Sequence, residues 1–309
     1  MNRNRVTHTN TFWNDVVIGD QNAENHFVGY GEGLDILIGG NRNDTFQLTY
    51  EHDEYVDTVY GGWGVDTLDF SLADRGLSIN LQEGIAGLVV YDWNYEVNGP
   101  NFDGFEPSHP ERVEVSTVFN SIENVVGTAF DDRILGNDAD NVIEGGGGSD
   151  LIYGGRGNDT ASYANSNEGV VVSLQGLQSA VGGLSELLGF GFGGDANGDA
   201  LVSIENVIGS AYNDTFYGSR ADNIFDGGDG IDTFVFGRNI GHDTIRDFDA
   251  TGNDHDIIRL ENVFDSWHEL RNNMEDTGDD VVIYIDDHNS ITLENVRFND
   301  LNASDFWLA

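Results

Sequence analysis

The stretch Gly127–Ser162 reads GTAFDDRIL GNDADNVIE GGGGSDLIY GGRGNDTAS, four nine-residue rows that follow one another without a gap. Each row opens on Gly, its sixth position is Asp or Asn (Asp132, Asn141, Asp150, Asp159), and its eighth is apolar (Ile134, Ile143, Ile152, Ala161). A period this regular points to a stacked architecture. One short repeat cannot bury its own apolar face and must lean on its neighbours.

The first six residues of a row, rich in Gly, Asn and Asp, suit a turn that visits positive φ rather than a helix or a central strand. The last three, such as Leu151-Ile152-Tyr153, make a short strand whose alternation points the eighth side chain inward. Two rows then close one flattened coil of 18 residues, with turns on both edges and a thin apolar seam between two sheets. Turns 18 residues apart stack, so Asp132 lies over Asp150 and Asn141 over Asp159. Stacked carboxylates repel one another unless a cation lies between them. Hard oxygen ligands, flexible turns and spare turn carbonyls favour Ca2+, which takes about 6–8 oxygens.

The rows recur on both sides of this block. Gly19–Gly29 reads as an edge row with Asn25 and Phe27 at the sixth and eighth positions. YGEGLDILI (30–38) brings Asp35, GGNRNDTFQ (39–47) brings Asp44, and GGWGVDTLD (61–69) brings Asp66. Asp57 in the irregular step EHDEYVDTVY also fits, and the extra residues before it are expected to bulge from an edge. Further on, GSAYNDTFY, GSRADNIFD and GGDGIDTFV (209–235) place Asp214, Asn223 and Asp232 at the sixth position. Phe216, Phe225 and Phe234 fill the eighth and are expected to thicken the core toward the C-terminus. The candidate calcium ligands are Asp35, Asp44, Asp57, Asp66, Asp132, Asn141, Asp150, Asp159, Asp214, Asn223, Asp232 and Asp243. With them go the turn positions Gly31, Gly33, Asn41, Asn43, Gly62, Gly64, Asn137, Ala139, Gly146, Gly148, Gly155, Gly157, Gly228 and Gly230. Asp247, Asp254 and Asp256 complete the set.

The pattern Gly-Gly-x-Gly-x-Asp-x-apolar-x resembles the RTX (hemolysin-type calcium-binding) repeat, from about Val17 to the end of the chain. The resemblance implies an all-β fold, a right-handed parallel β-roll holding several Ca2+ ions. GHDTIRDFDATGNDHDIIRL (241–260) resembles the segment that closes such rolls. The family also implies export by a type I secretion machinery through an uncleaved C-terminal signal, and Asp305-Phe306-Trp307-Leu308 resembles the tail of its substrates. The implied location is extracellular or at the cell surface, where millimolar calcium folds the chain after exit; weak, numerous sites suit extracellular modules.

Two excursions interrupt the rows and resemble each other. Asp66, Phe70, Gly76, Leu81 and Gln82 map onto Asp159, Tyr163, Gly169, Leu174 and Gln175 at a constant offset of 93, and Ser121-Ile122-Glu123-Asn124 onto Ser203-Ile204-Glu205-Asn206 at 82. Each is expected to be a strand hairpin with a variable tip. The first tip holds Tyr91, Trp93, Tyr95, Phe102 and Phe105, either packed on the roll or free for sugar stacking or self-association. The second is expected to form a short helix through Leu184, Leu187 and Leu188, covering an open side of the roll or contacting another subunit. DANGDA (195–200) reads as a polar turn or a stray ligand set, since Asn206 stands where an EF-hand needs Glu. The expected layout is an N-terminal edge with the first block (1–69), first excursion (70–126), second block (127–162), second excursion (163–208), third block with closing segment (209–260) and a C-terminal cap (261–309). In the cap, a helix over 265–274 started by Asp265 or Ser266 precedes strands at 281–285 and 290–295.

Composition narrows the function classes. With 13 basic and 55 acidic residues the formal charge is −42, which disfavours nucleic acid and anionic membrane and favours multivalent cations. The 39% apolar content argues for a folded state, compact with calcium and expanded without it. With no cysteine, disulfides and zinc–thiolate sites are excluded. No run of 18 apolar residues spans a membrane, and MNRNRVTHTNTFWND lacks the apolar core of a signal peptide. Rows that begin within 20 residues of Met1 suggest a self-contained gene product.

Catalytic motifs fail on inspection. His268-Glu269 has no second His at zinc-protease spacing, and Gly189-x-Gly191-x-x-Gly194 lacks the strand and helix of a dinucleotide site. No catalytic residues are assigned. The preferred expectation is a non-enzymatic secreted protein, adhesive or self-assembling, whose partners are calcium, copies of itself or a surface polysaccharide. The alternative is a calcium-dependent carbohydrate-binding or folding module attached to an extracellular epimerase, lipase or protease.

Overall fold

The computed structural model describes residues 5–9, 14–30, 33–49, 56–90, 112–175, 188–251 and 255–309. Short strands separated by Gly- and Asp-rich turns dominate it, and the chain divides at Gly157/Asn158 into two compact units.

In the first unit, one sheet runs in the order Arg5–Thr9, Glu24–Tyr30, Thr45–Leu48, Thr67–Asp69, Asn124–Val126, Val142–Glu144, with parallel pairing throughout. The facing sheet begins with Val16–Ile18, Ile36–Ile38 and Asp57–Tyr60, also parallel, and ends with Arg133–Leu135 and Leu151–Tyr153. Consecutive rows alternate between the sheets, as expected for a parallel β-roll. Register follows the eighth position, so Ile134 pairs with Ile152 and Val125 with Ile143. Where a coil is longer than 18 residues the register still holds: Phe46 pairs with Leu68 and Leu37 with Val59. The surplus residues, and with them the expected bulge before Asp57, lie largely in residues 50–55, outside the described residues.

The second unit repeats the plan. One sheet runs Thr160–Ser162, Asn206–Ile208, Ile224–Asp226, His242–Ile245, Asn289–Leu293, and finishes with the antiparallel strands Val281–Asp286 and Met274–Asp276. The other ends Thr215–Tyr217, Thr233–Phe236, Ile257–Leu260, Phe306–Leu308, all parallel. The C-terminal helix is Trp267–Asn272, and of the two expected caps it uses Ser266, whose hydroxyl accepts the Glu269 N–H. The last strand is stitched to the roll: Arg259 stacks over the exposed Trp307 ring at 4.7 Å and pairs with Glu261 at 2.7 Å.

Both excursions belong to the sheet wall. Ser78–Asn80, Ile85–Val90 and Arg112–Asn120 form an antiparallel meander whose outer strands pair in parallel with Arg133–Leu135 and Asp57–Tyr60. Val171–Ser173, Leu188–Phe192 and Ala200–Val202 repeat the meander in the second unit. The expected helix through Leu188 is therefore corrected, since Leu188-Gly-Phe-Gly-Phe alternates with the period of a strand and pairs on both sides. Leu184 and Leu187, like Tyr91, Trp93, Tyr95, Phe102 and Phe105, lie outside the described residues. DANGDA starts in the 3-10 turn Gly194–Ala196 and contains buried Asp199, which accepts a bond from the Tyr163 hydroxyl at 3.0 Å.

Leu37, Phe46, Val59, Leu68, Ile134, Ile143, Ile152, Ala161, Phe216, Phe225 and Phe234 have no exposed surface, so the eighth position is the core. In the second unit the phenylalanines meet one another, with ring centroids 5.6 to 6.1 Å apart. Removing such a ring leaves a cavity in a seam only two side chains deep. Phe225→Ala is expected to lower the stability of the folded chain by about 3–5 kcal/mol and Ile152→Val by about 1 kcal/mol. Denaturant titration in calcium checks both, and equal losses would count against the packing described.

Candidate metal centre

The sixth-position side chain stands where a turn ends and a strand begins, and it folds back over its own turn. In the aspartates that follow, Oδ1 accepts the backbone N–H of the equivalent residue one coil earlier. In the first unit Asp15 donates to Asp35 (2.9 Å), Asp35 to Asp57 (3.0 Å), Leu77 to Asp132 (2.6 Å) and Asp132 to Asp150 (2.8 Å). On the opposite edge Asn25 donates to Asp44 (2.6 Å) and Asp44 to Asp66 (2.8 Å). The second unit repeats the ladder: Val170 to Asp214 (2.7 Å), Asp214 to Asp232 (2.8 Å), Asp232 to Asp256 (2.9 Å), and Asn223 to Asp243 (2.8 Å). The stacking of Asp132 and Asp150 inferred from their spacing is present.

The second carboxylate oxygen has two fates. In Asp44, Asp132 and Asp214, Oδ2 accepts the N–H of Gly40, Thr128 or Ser210 in the same turn, at 2.5 to 2.6 Å. In Asp66, Asp232 and Asp243, Oδ2 is buried and accepts no hydrogen bond. Such a buried acceptor is costly unless a cation or proton answers it. Burial accordingly pushes the carboxyls of Asp232 and Asp243 up to about 8 and that of Asp66 to about 7, with neighbouring acids adding to the shift. Burial also raises Asp132 and Asp256 to about 6.

The turns bring carbonyls to the same space. Gly228 and Gly230 have φ of 87° and 138°, and a Cβ at either would run into the peptide of Ser210 or Tyr212 one coil earlier. Only glycine allows that approach. Gly62, Gly64, Gly146, Gly148, Gly155 and Gly157 repeat it, the last two against Asn137 and Ala139. Among the described residues no three acidic or imidazole side chains converge on one point. An ion would therefore take one carboxylate from a coil and fill its shell with peptide oxygens, a donor set that suits Ca2+. The buried, unanswered oxygens of Asp66, Asp232 and Asp243 fit that group.

Other candidate ligands have different company. Asn41 Nδ2 donates to the Gln21 carbonyl (3.0 Å), and Asn43 Oδ1 accepts the Val65 N–H (3.1 Å), so these two amides bridge coils directly. Asp247 accepts the N–H groups of Gly227 and Gly228 (2.8 and 2.7 Å). Asp256 accepts from Asp232 and, through Oδ2, from Asp249 (2.8 Å). Gly33 is a turn residue with φ of 92°, while Gly31 and Asp254 lie outside the described residues.

Two acidic residues were missed. Glu123 Oε2 accepts the Asp66 N–H and Glu205 Oε2 the Asp159 N–H, each at 2.9 Å, so both occupy the sixth position of a row. Ser121 and Ser203, at φ of 53° and 52°, hold the place of the row's second left-handed glycine. The signal was available. Glu123 stands nine residues before Asp132, and Glu205 nine before Asp214.

Stacked nonapeptide turns with inward-facing eighth residues define the molecule as a parallel β-roll. A family model for the RTX calcium-binding nonapeptide repeat matches in four copies, at residues 54–73, 126–161 and 203–234. The chain thus carries RTX calcium-binding repeats. Among solved structures it is similar to the extracellular lipase LipA of Serratia marcescens, at 16% identity and a TM-score of 0.29; the match covers 96% of this chain and 42% of that one. No curated protein matches it. Among the described residues no helix is long and apolar enough to cross a membrane.

The raised carboxyls set a direction with pH. Their values in the metal-free roll lie above the ordinary 3.8, so the metal-free roll binds more protons than the unfolded chain. Its stability is greatest below about 4 and is lost as pH rises toward about 8. In chelator, circular dichroism is expected to gain β-structure as pH falls from about 8 to about 6. Over the same range the affinity of the folded chain for calcium is expected to fall, since protons and calcium compete for the same oxygens. A calcium affinity of the folded chain that does not change with pH would remove the buried aspartates from the binding sites.

Proposed function

We propose that the chain is a secreted, calcium-binding β-roll protein without catalytic activity, which folds on external calcium and serves as a structural or adhesive component of the cell surface or extracellular matrix. The observation that carries this reading is the aspartate ladder, in which buried carboxylates are stacked coil over coil with unanswered oxygens at Asp66, Asp232 and Asp243. Such a fold stores its stability in an ion that is abundant outside the cell and scarce within it. Export before folding then follows naturally, and type I machinery is the route proposed for it. Asp35, Asp44, Asp57, Asp66, Asp132, Asp150, Asp159, Asp214, Asp232, Asp243 and Asp256 are the carboxylates proposed to face calcium, with the turn glycines supplying peptide oxygens.

Copies of the chain are the proposed partners, and a surface polysaccharide is the second. The purified chain is expected to be largely unstructured in chelator and to fold cooperatively at millimolar calcium. Electron microscopy of the calcium-loaded protein is expected to show filaments or lattices absent in chelator. A folded, monodisperse monomer that binds no polysaccharide would overturn the structural role while leaving calcium binding in place.

A further inference from the structure

We propose that the coil steps from Glu123 to Asn141 and from Glu205 to Asn223 are held by side-chain amides in place of calcium, so that ion-bridged turns stop where each excursion rejoins the roll. This rests on calcium occupying the aspartate turns and says which turns it leaves out.

In an aspartate step, the upper side chain presents only acceptors to a coil edge already lined with carbonyls. Two acceptors join through a cation or a proton. The asparagine steps reverse the polarity. Asn141 Oδ1 accepts the Asn137 N–H of its own turn (2.8 Å), while Nδ2 donates to the Glu123 carbonyl of the coil below (2.7 Å) and to Asn137 Oδ1 (3.1 Å). In the other unit Asn223 Oδ1 accepts the Ser219 N–H (2.6 Å) and Nδ2 donates to the Glu205 carbonyl (2.8 Å). The amide's donors thus stand against the carbonyl that an ion in that step would need.

A second amide reinforces each step one residue further along. Asn124 Oδ1 accepts the Val142 N–H (2.9 Å), and Asn206 Oδ1 accepts the Ile224 N–H (3.0 Å). Asn141 and Asn223 are each only 1% exposed, so the clamp buries two neutral amides whose hydrogen bonds are made, with no charge to offset. The same partners recur in both units at the same offset of 18 residues. Entry of Ca2+ would break the Nδ2 bonds and set a metal against a donor. The sequence SIEN followed by Asn 17 residues after its last residue is the signature of an ion-free step.

The test counts calcium bound by the full chain at saturation, by calorimetric titration, in wild type, Asn141→Ala, Asn223→Ala and Asp232→Asn. Both alanine variants are expected to bind as many ions as wild type, with the calcium midpoint for folding raised about two-fold or more as a hydrogen-bonded clamp is lost. Asp232→Asn is expected to bind at least one ion fewer. A lower count in Asn141→Ala or Asn223→Ala overturns the proposal. An unchanged count in Asp232→Asn overturns the calcium assignment beneath it, so the two failures are distinct. If a variant does not fold, a crystal of the wild-type chain grown with calcium decides. Ions at the Asp232 turn and none at Asn141 or Asn223 support the proposal, and an ion coordinated by either asparagine ends it.

Discussion

The structure depends on an acceptor meeting an acceptor. Winding a nonapeptide into a parallel roll puts the same side chain at the same height on every coil, about 4.8 Å from its neighbours. When that side chain is a carboxylate, two ionised neighbours repel by about 3 kcal/mol at an effective dielectric near 20. Burial is the larger penalty, and with the neighbouring acids it holds the protons of Asp66, Asp232 and Asp243 far above the ordinary range. Each remaining feature of the row answers this problem. Glycines bring peptide oxygens close, the short strand fixes the height of the acid, and the buried eighth residue keeps successive coils in register.

The chain solves the problem in two chemical ways, and both occur in each unit. Aspartate turns leave an electrostatic debt that a divalent ion can settle. Asparagine turns carry their own donor. The Glu rows lie between the two, since Glu123 and Glu205 reach back to accept an N–H from the last aspartate turn before the excursion. Their peptide N–H groups, with those of Asn124 and Asn206, close onto the carbonyls of Asp66 and Asp159. The super-repeat is therefore a repeat of joints as well as of strands.

Much of this was legible because period and chemistry coincide. The 18-residue coil, the inward eighth position and the stacked acids all follow from one spacing, and Asp132 lies under Asp150 as that spacing demands. The excursions were harder to read. Their strands carry no row motif, and only pairing partners far along the chain, such as Thr117 opposite Asp57, reveal that they continue the wall. Leu188 misled for a related reason: leucines three and four residues apart look helical until the Gly-Phe alternation after them is weighed. The role of Asn141 could not be told from Asp at all by pattern, since an amide and a carboxylate share a shape and differ in whether one end donates. Glu123 was hidden by its longer side chain, although its place in the period was plain.

The hydrogen bond that closes each excursion joins residues 57 apart in one unit and 46 apart in the other. A flexible loop lengthened by that difference costs only about 0.2 kcal/mol more to close. The joint is therefore little affected by the number of residues between its two halves. The strands of each meander stay fixed in the wall by their pairing, so a difference in chain length between the two excursions leaves the frame of rows as it is.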